Sequence, residues 1–218
     1  MHHTHFDTID STQLYLKNNY LGLVEKNNEK DVLVSSSSQS KGIGRYGNSW
    51  DHYNNSLAFS FSLSINQNKN LSVLPLELSV YLIEWLETKT EATLSVKWPN
   101  DIYIEGSKVG GIITRCFTKK NMMRAIVLGI GLNVKTVPKI SGNRFTPKAG
   151  CIKDYSESVD IKTVFHALLD SLYTQYQLVK NNRIQNLHKV YIKRSLLIGK
   201  NIAVYMEDKN KPDFVGKV

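Results

Sequence analysis

The chain contains no apolar run approaching the ~20 residues that a membrane-spanning helix needs, which excludes such a helix. Its opening, Met1-His2-His3-Thr4-His5, lacks the charged-then-apolar order of a secretory signal. Cysteine is scarce. Cys116 and Cys151 give no disulfide framework, and free thiols in a cytoplasmic protein are the plain reading. No repeat of fixed period is present. Arginine-rich runs and helical basic stripes are also missing. The net charge of +9 suits nucleic acid, an acidic protein or phosphorylated ligands, and its scatter weighs against nucleic acid. His2, His3 and His5 read as a frayed terminus rather than metal ligands.

What is present is an ordinary globular composition, 41% hydrophobic and 22% charged over 218 residues. That length carries one substantial domain with its own core and a small appendage. Asp10 or Ser11 caps a helix from about Thr12 to Val24. Val32-Leu33-Val34 reads as a short strand. Leu57, Phe59, Phe61, Leu63 and Ile65 alternate with Ala58, Ser60, Ser62 and Ser64, a strand with one large apolar face and one small, polar face. Leu74, Leu78, Tyr81, Leu82, Trp85 and Leu86 follow helical spacing, with Pro75 in the first turn. Strand-like segments follow at Leu94–Trp98, Lys108–Phe117 and Arg124–Val134. An amphipathic helix runs from Ile161 to Tyr176, and another from Arg183 to Leu196. Gly199 ends it, and Asn201–Met206 reads as a strand. Strands grouped rather than alternating singly with helices favour an α+β fold.

Lys97-Trp98-Pro99-Asn100-Asp101 is the most informative stretch, with Lys108-Val109-Gly110-Gly111 beginning seven residues after its aspartate. Cations, an amide, a carboxylate and side-chain-free backbone suit a phosphate-bearing ligand held against a sheet. Upstream, Gly42-Ile43-Gly44-Arg45-Tyr46-Gly47 fits G-x-G-x-x-G. A dinucleotide fingerprint should open a helix and have an acid about 20 residues on. Here turn-like residues and a strand follow, and Asn66 and Gln67 stand near the acid's position. A P-loop fails because Asn48 stands where its lysine belongs, and a kinase lacks its H-R-D and D-F-G companions. Alternate glycines with one arginine remain able to wrap an anion.

Four segments then agree in order: Asp10-Ser11-Thr12; Gln39-x-x-Gly42-x-Gly44-Arg45-x-Gly47-x-x-Trp50; Lys97-Trp98-Pro99-Asn100-Asp101 with Lys108-x-Gly110-Gly111-Ile112; and Gly129-Ile130-Gly131-Leu132-Asn133-Val134. Together, over roughly residues 7–134, they resemble the catalytic domain of the biotin–protein ligases. The resemblance implies a central mixed or antiparallel sheet flanked by helices. Residues 1–198 would be the catalytic domain, and 199–218 an incomplete C-terminal SH3-like β domain that stops early. With nine residues before Asp10, the ligase–repressor form with a DNA-reading domain is not expected.

The implied reaction has two steps. Biotin and MgATP form biotinyl-5′-AMP and pyrophosphate. A lysine of a biotin carboxyl carrier protein then takes the biotinyl group and releases AMP. The resemblance gives Ser11, Thr12 and Gln39 to biotin's ureido ring, although Ser11 or Thr12 could instead cap the helix. Gly42, Gly44, Gly110 and Gly111 let backbone approach the ligand. Arg45 covers the adenylate phosphate, and Lys108 bridges the carboxylate and α-phosphate. Asp101 and Asn100 orient Lys108 or the acceptor lysine, with a purely structural turn as the alternative. Asn133 contacts adenine or its phosphate. Trp50 and Trp98 could stack on adenine or line the biotin pocket. Trp98, at a strand end, reads better as an ordinary core residue, and Trp50 packs inward. ATP, biotin and Mg2+ are the expected small partners, with no specific nucleic acid and no membrane, and a homodimer through strand edges is an option. A lipoate–protein ligase would carry an Arg-Arg-x-x-Gly-Gly-Gly segment, absent here. A non-catalytic biotin-binding homologue remains the alternative of a different class.

Overall fold

The structure is a computed structural model and describes residues 2–28, 31–51, 55–64, 74–119, 122–139, 148–180, 187–206 and 210–218. Among the described residues, nine strands and four α-helices follow in the order β1 (His2–Ile9), α1 (Thr12–Asn27), β2 (Val32–Gln39), β3 (Leu57–Ser64), α2 (Leu74–Glu87), β4 (Leu94–Lys97), β5 (Asp101–Ile104), β6 (Ser107–Lys119), β7 (Met122–Leu132), α3 (Ile161–Lys180), α4 (Leu187–Arg194), β8 (Asn201–Val204) and β9 (Phe214–Lys217). Ile65 and Arg183, named as parts of elements from the sequence, lie outside the described residues.

The first seven strands form one mixed sheet in the order β1-β2-β3-β7-β6-β5-β4. Among its described strands β1 and β2 run parallel, and the other neighbouring pairs are antiparallel. This is the α+β arrangement that grouped strands predict. β8 and β9 make a separate antiparallel ribbon. No helix among the described residues is long and apolar enough to cross a membrane.

The composition of β3 explains the layering. Phe59, Phe61 and Leu63 enter the main core with Leu78, Leu82 and Leu86 of α2 and Val164, Leu168 and Leu172 of α3. The other face carries Ala58, Ser60 and Ser62, and all three are buried too. The small, polar face is therefore an interior surface rather than a solvent one. Small side chains there let α1 lie close, where Leu16 and Tyr20 pack on Val32, Val34, Ala125 and Val127.

Several sequence-based readings need correction. The N-terminus is not frayed. Thr4 and Phe6 alternate with His3 and His5, and the segment pairs with β2 along its length. Phe6 meets Tyr15 edge-on at 4.8 Å, while His3 and His5 both hydrogen-bond Ser35 Oγ, at 2.8 and 2.9 Å. The histidines hide a period-two pattern of only three apolar or β-branched residues, Thr4, Phe6 and Thr8. β5 was also absent from the sequence reading, because Asp101 and Tyr103 hide a strand of four residues. Trp98 is no core residue: the strand ends at Lys97, and Trp98 stands 61% exposed in the turn after it.

Glu77, in the first turn of α2, is buried, and its Oε2 has no hydrogen-bond partner. Burial raises its carboxyl from 4.5 to about 7. A raised folded-state pKa favours the protonated form. The stability it contributes is complete below the unfolded value of 4.5 and is lost as pH climbs through about 7. Glu77→Gln should therefore flatten stability between about pH 5 and pH 8 and gain ~1–2 kcal/mol at the alkaline end, after discounting for solvent screening. Urea unfolding of both chains across that range measures it, and parallel pH curves would refute a protonated Glu77.

Candidate active site

A cavity of about 520 Å³ opens on the α1 side of the sheet, a size suited to a small ligand. Its floor exists because three adjacent strands run short of side chains at the same level. Ala58 pairs with Gly131, Ser60 with Gly129, and Gly131 with Gly111. Since side chains alternate across a strand, Gly129 and Gly131 both face the cavity. A Cβ on Gly131 would fall 2.6 Å from the Trp50 ring, and one on Gly129 would meet the Gln13 amide at 3.1 Å. The floor is closed by large side chains from elsewhere lying on bare backbone.

The wall from α1 and β2 is polar. Ser11 is the N-cap of α1, its side chain accepting from the Leu14 N–H. Gln39 Oε1 accepts from both the N–H of Thr12 at 2.8 Å and its hydroxyl at 3.1 Å. Thr12 Oγ1 also lies 2.9 Å from Ser60 Oγ. These contacts saturate the oxygen of the Gln39 amide and leave its nitrogen beside Gly42, at the base of the glycine loop.

That loop is a compact hairpin. Trp50 N–H donates to Gly42 O at 2.8 Å, and Gly44 N–H to Asn48 O at 2.7 Å. Gly42 is required by close approach, since a Cβ there would lie 2.2 Å from the Trp50 carbonyl oxygen. Tyr46 occupies the left-handed region at φ 54° and is 90% exposed. The Arg45 guanidinium sits 4.8 Å from its ring and donates to its hydroxyl at 3.1 Å. At the loop's other base Asp10 accepts from Ser40 and pairs with Lys41.

The opposite wall is the turn between β4 and β5 and the start of β6. Lys108 Nζ lies 2.8 Å from Asp101 Oδ1, the two side chains being 23% and 22% exposed. The ammonium also stands 5.8 Å from the Trp50 ring. The backbone of Lys108 is fixed from both sides: its N–H donates to Lys148 O at 2.7 Å, and its carbonyl accepts from Gly150 N–H at 2.9 Å. Among the described residues, Asp101 is the single carboxylate of the lining, against Arg45, Lys97 and Lys108. The cavity is thus built for an anion. Among the described residues no group of three or more His, Cys, Asp or Glu is placed to hold a metal. A divalent ion would suit this site as part of a phosphate substrate, which keeps most of the ion's ligands.

The structure brings most of the sequence-named residues together. Ser11, Thr12, Gln39, Gly44, Arg45 and Trp50 line the cavity from one side, and Asn100, Asp101, Lys108 and Gly111 from the other. Gly42, Gly110 and Asn133 do not. A Cβ on Gly110 would strike Leu132 Cδ2 at 2.2 Å and Gly131 O at 2.9 Å, so its bareness serves the β6–β7 contact. Asn133 is buried, and its Nδ2 donates to Gly150 O at 3.0 Å, behind the segment that fixes Lys108.

Other lining residues escaped the sequence reading. Gln13 is 3% exposed, and its Oε1 has no partner. Its signal was position alone, next to Ser11-Thr12 on the first helical turn. Gly129 and Gly131 stand in the fourth of the quoted segments without a role assigned to them, although two glycines on one face of a strand mark a close approach. Tyr205, just beyond β8, also lines the cavity, and nothing in its sequence surroundings announces it.

Comparison with known proteins agrees with this geometry. The family model described as the Biotin/lipoate A/B protein ligase family matches residues 5–133. The bifunctional ligase/repressor BirA of Bacillus subtilis is 29% identical over 139 residues, covering 63% of this chain and 42% of that protein. A biotin–protein ligase of Schizosaccharomyces pombe is 30% identical over 194 residues, covering 77% of this chain and 29% of its own. The chain therefore spans less than half the length of these relatives. Among solved structures, the biotin protein ligase from Aquifex aeolicus in complex with biotin and ATP superposes with a TM-score of 0.77 at 27% identity, covering 99% of this chain and 86% of that one. The matched stretch runs from β1 through the end of β7 and contains nearly every cavity residue. On that match, this chain belongs to the biotin/lipoate A/B protein ligase family.

Proposed function

We propose that this chain is an ATP-dependent biotin–protein ligase that forms biotinyl-5′-AMP and transfers biotin to a lysine of a biotin carboxyl carrier protein. The observation that carries the reading is the Lys108–Asp101 pair, 2.8 Å apart and facing a side-chain-free floor. In the first step a carboxylate oxygen of biotin attacks the α-phosphorus of MgATP, and the bond to the pyrophosphate oxygen breaks. Two anions must meet for this to happen. An ammonium already aimed into a partly enclosed cavity stabilises the charge that gathers between them. Asp101 holds that ammonium ready, and the fixed backbone of residue 108 limits where it can swing.

The polar wall suits the ureido ring. Thr12 and Gln39 order each other, and Gln13 Oε1 is a buried acceptor open to an N–H donor. Arg45 supplies the cation for the adenylate phosphate once it leaves Tyr46. Trp50 and Asn100 flank the nucleotide, while Asn133 acts through the segment holding Lys108. Closure of the hairpin would exclude water from the mixed anhydride. In the second step the acceptor amine attacks the acyl carbon, the bond to the phosphate oxygen breaks and AMP leaves. We assign residues 1–198 to the catalytic unit and 199–218 to a small β unit, whose Tyr205 contributes to the cavity.

Incubation with MgATP, biotin and a carrier domain, scored by the mass of the modified lysine, tests the reading. Binding of biotin with no pyrophosphate released would replace it with a non-catalytic binding protein. The hairpin gives a separate expectation. Amide exchange from Lys41 to Trp50 should slow when biotin and ATP are added together, as Arg45 and the loop amides gain an anion. Equal exchange with and without ligands would exclude a closing loop.

A further inference from the structure

The second step brings a folded protein to the cavity, and geometry limits where that protein rests. An acceptor amine stands about 6 Å from its own Cα when the lysine side chain is fully stretched. The cavity holds about 520 Å³, far too little for a folded domain. The acceptor lysine therefore enters alone, and its neighbours in the carrier come to lie on the lip of the cavity.

Two aromatic side chains line the cavity and yet stand largely in solvent, which places them on that lip. Tyr46 is 90% exposed and Trp98 is 61% exposed. They differ in how they are held. Tyr46 belongs to the glycine hairpin and is engaged with Arg45. Trp98 belongs to the β4–β5 turn, which is fixed at several points. Lys97 pairs with Asp101 across it, Asn100 N–H donates to Lys97 O at 3.2 Å, and Asn100 O accepts from the Ile112 N–H of β6 at 2.9 Å. Asp101, three residues after Trp98, holds Lys108. The indole is thus an apolar surface on a rigid support beside the reacting centre. Tryptophan in that setting is among the side chains that dominate protein interfaces. Charge gives the sign of the partner. Lys97 is exposed next to Trp98 and shares the cavity with Arg45 and Lys108, while Asp101 is already paired. A cationic lysine approaching such a lip needs acidic neighbours to offset the repulsion.

We propose that Trp98 is the docking point for the acceptor segment of the carrier: a surface turn that presents the lysine beside an apolar side chain, which covers the indole, and an acidic residue, which faces Lys97. The assignment rests on the ligase reading above and concerns its second step alone. Trp98 then sets how tightly the carrier is held and leaves the adenylation step untouched.

The test is Trp98→Ala in the full chain, with a biotin carboxyl carrier domain as acceptor. The ring is exposed, so thermal stability should hold. Biotin-dependent pyrophosphate release, and KM for biotin and for ATP, should stay within about twofold. KM for the carrier domain should rise at least about tenfold, the weight of one interface tryptophan, and Trp98→Phe should recover part of the loss. Hydroxylamine is the control acceptor. Its nitrogen attacks the acyl carbon of biotinyl-5′-AMP, the bond to the phosphate oxygen breaks, a proton passes to water, and biotinyl hydroxamate and AMP form. So small an acceptor needs no lip, and hydroxamate should form at the wild-type rate. Added salt should raise the carrier KM, and Lys97→Ala should flatten that rise. An unchanged carrier KM in Trp98→Ala overturns the assignment, and a change in sedimentation alone would give the indole to a second copy of the chain. A raised KM for ATP or slowed hydroxamate formation overturns it in favour of stacking on the nucleotide. A carrier KM indifferent to salt overturns the acidic character of the segment. A wild-type chain that releases no pyrophosphate with biotin and MgATP overturns the ligase reading itself and the assignment with it.

Discussion

Lys108→Ala should lower the rate of biotin-dependent pyrophosphate release by about 10²–10³-fold, a barrier increase of ~2.7–4 kcal/mol by analogy with removal of an oxyanion donor. Among the described residues, the ammonium is the one cation of the cavity that a carboxylate holds in place, at 2.8 Å from Asp101. Its removal leaves two approaching anions without the cation that stands between them and frees the Asp101 carboxylate as well, adding a third negative charge at the same place. Biotin affinity should fall by less than about tenfold, or ~1.4 kcal/mol, because the ring contacts lie on α1 and β2. Pyrophosphate release and isothermal titration with biotin, run on the same preparations, separate the two effects. A folded variant that releases pyrophosphate at the wild-type rate would remove Lys108 from the chemistry.

Gly42→Ala should be the most damaging single-methyl change in the glycine loop. Its Cβ would lie 2.2 Å from the Trp50 carbonyl oxygen, so the two strands of the hairpin must part. Parting them breaks the Trp50 N–H to Gly42 O bond and lifts the Trp50 ring from Gly131, where it covers the cavity floor. The obstacle is backbone rather than the end of a flexible side chain, so relaxation is expensive. Affinity for biotinyl-5′-AMP should fall at least about tenfold, or ~1.4 kcal/mol. The melting temperature should change little, since the loop contributes nothing to either core cluster. Gly47→Ala makes a useful contrast. No atom lies within 4 Å of its Cβ position, and its cost comes from a φ of +77° alone. Adenylate binding to the two variants decides between collision and backbone strain. Equal losses would mean that the close approach at Gly42 is unimportant.

The two changes also mark the boundary between what sequence and structure each contribute. The Lys97–Asp101 and Lys108–Gly111 segments carry their chemistry in residue type and order, so a cationic, amide-bearing site was legible before any coordinates. The same holds for β3, whose alternation is strict, and for α2 and α3, whose apolar stripes follow helical spacing. Local periodicity is enough there because each element buries one face by itself. Sequence alone also excluded a spanning helix and a disulfide framework.

Tertiary structure decided the rest. The short strands β1 and β5 acquire their identity from neighbours: β2 gives one a parallel partner, and β4 and β6 enclose the other. Four to eight residues rich in histidine, aspartate and tyrosine carry too weak a pattern to compete with a loop. Burial of both faces of β3 depends on α1 arriving over its small side, which no local window reveals. Trp98 and Asn133 illustrate the limit in opposite directions. A tryptophan at a strand end reads as core, yet the turn to Asn100 throws it into solvent. An asparagine after a G-x-G strand reads as a ligand contact, yet it bonds to Gly150 behind Lys108. Gln13 and Tyr205 gain their significance only from the cavity they line. Residue type sets what a side chain is able to donate or accept, and long-range packing alone decides what it faces.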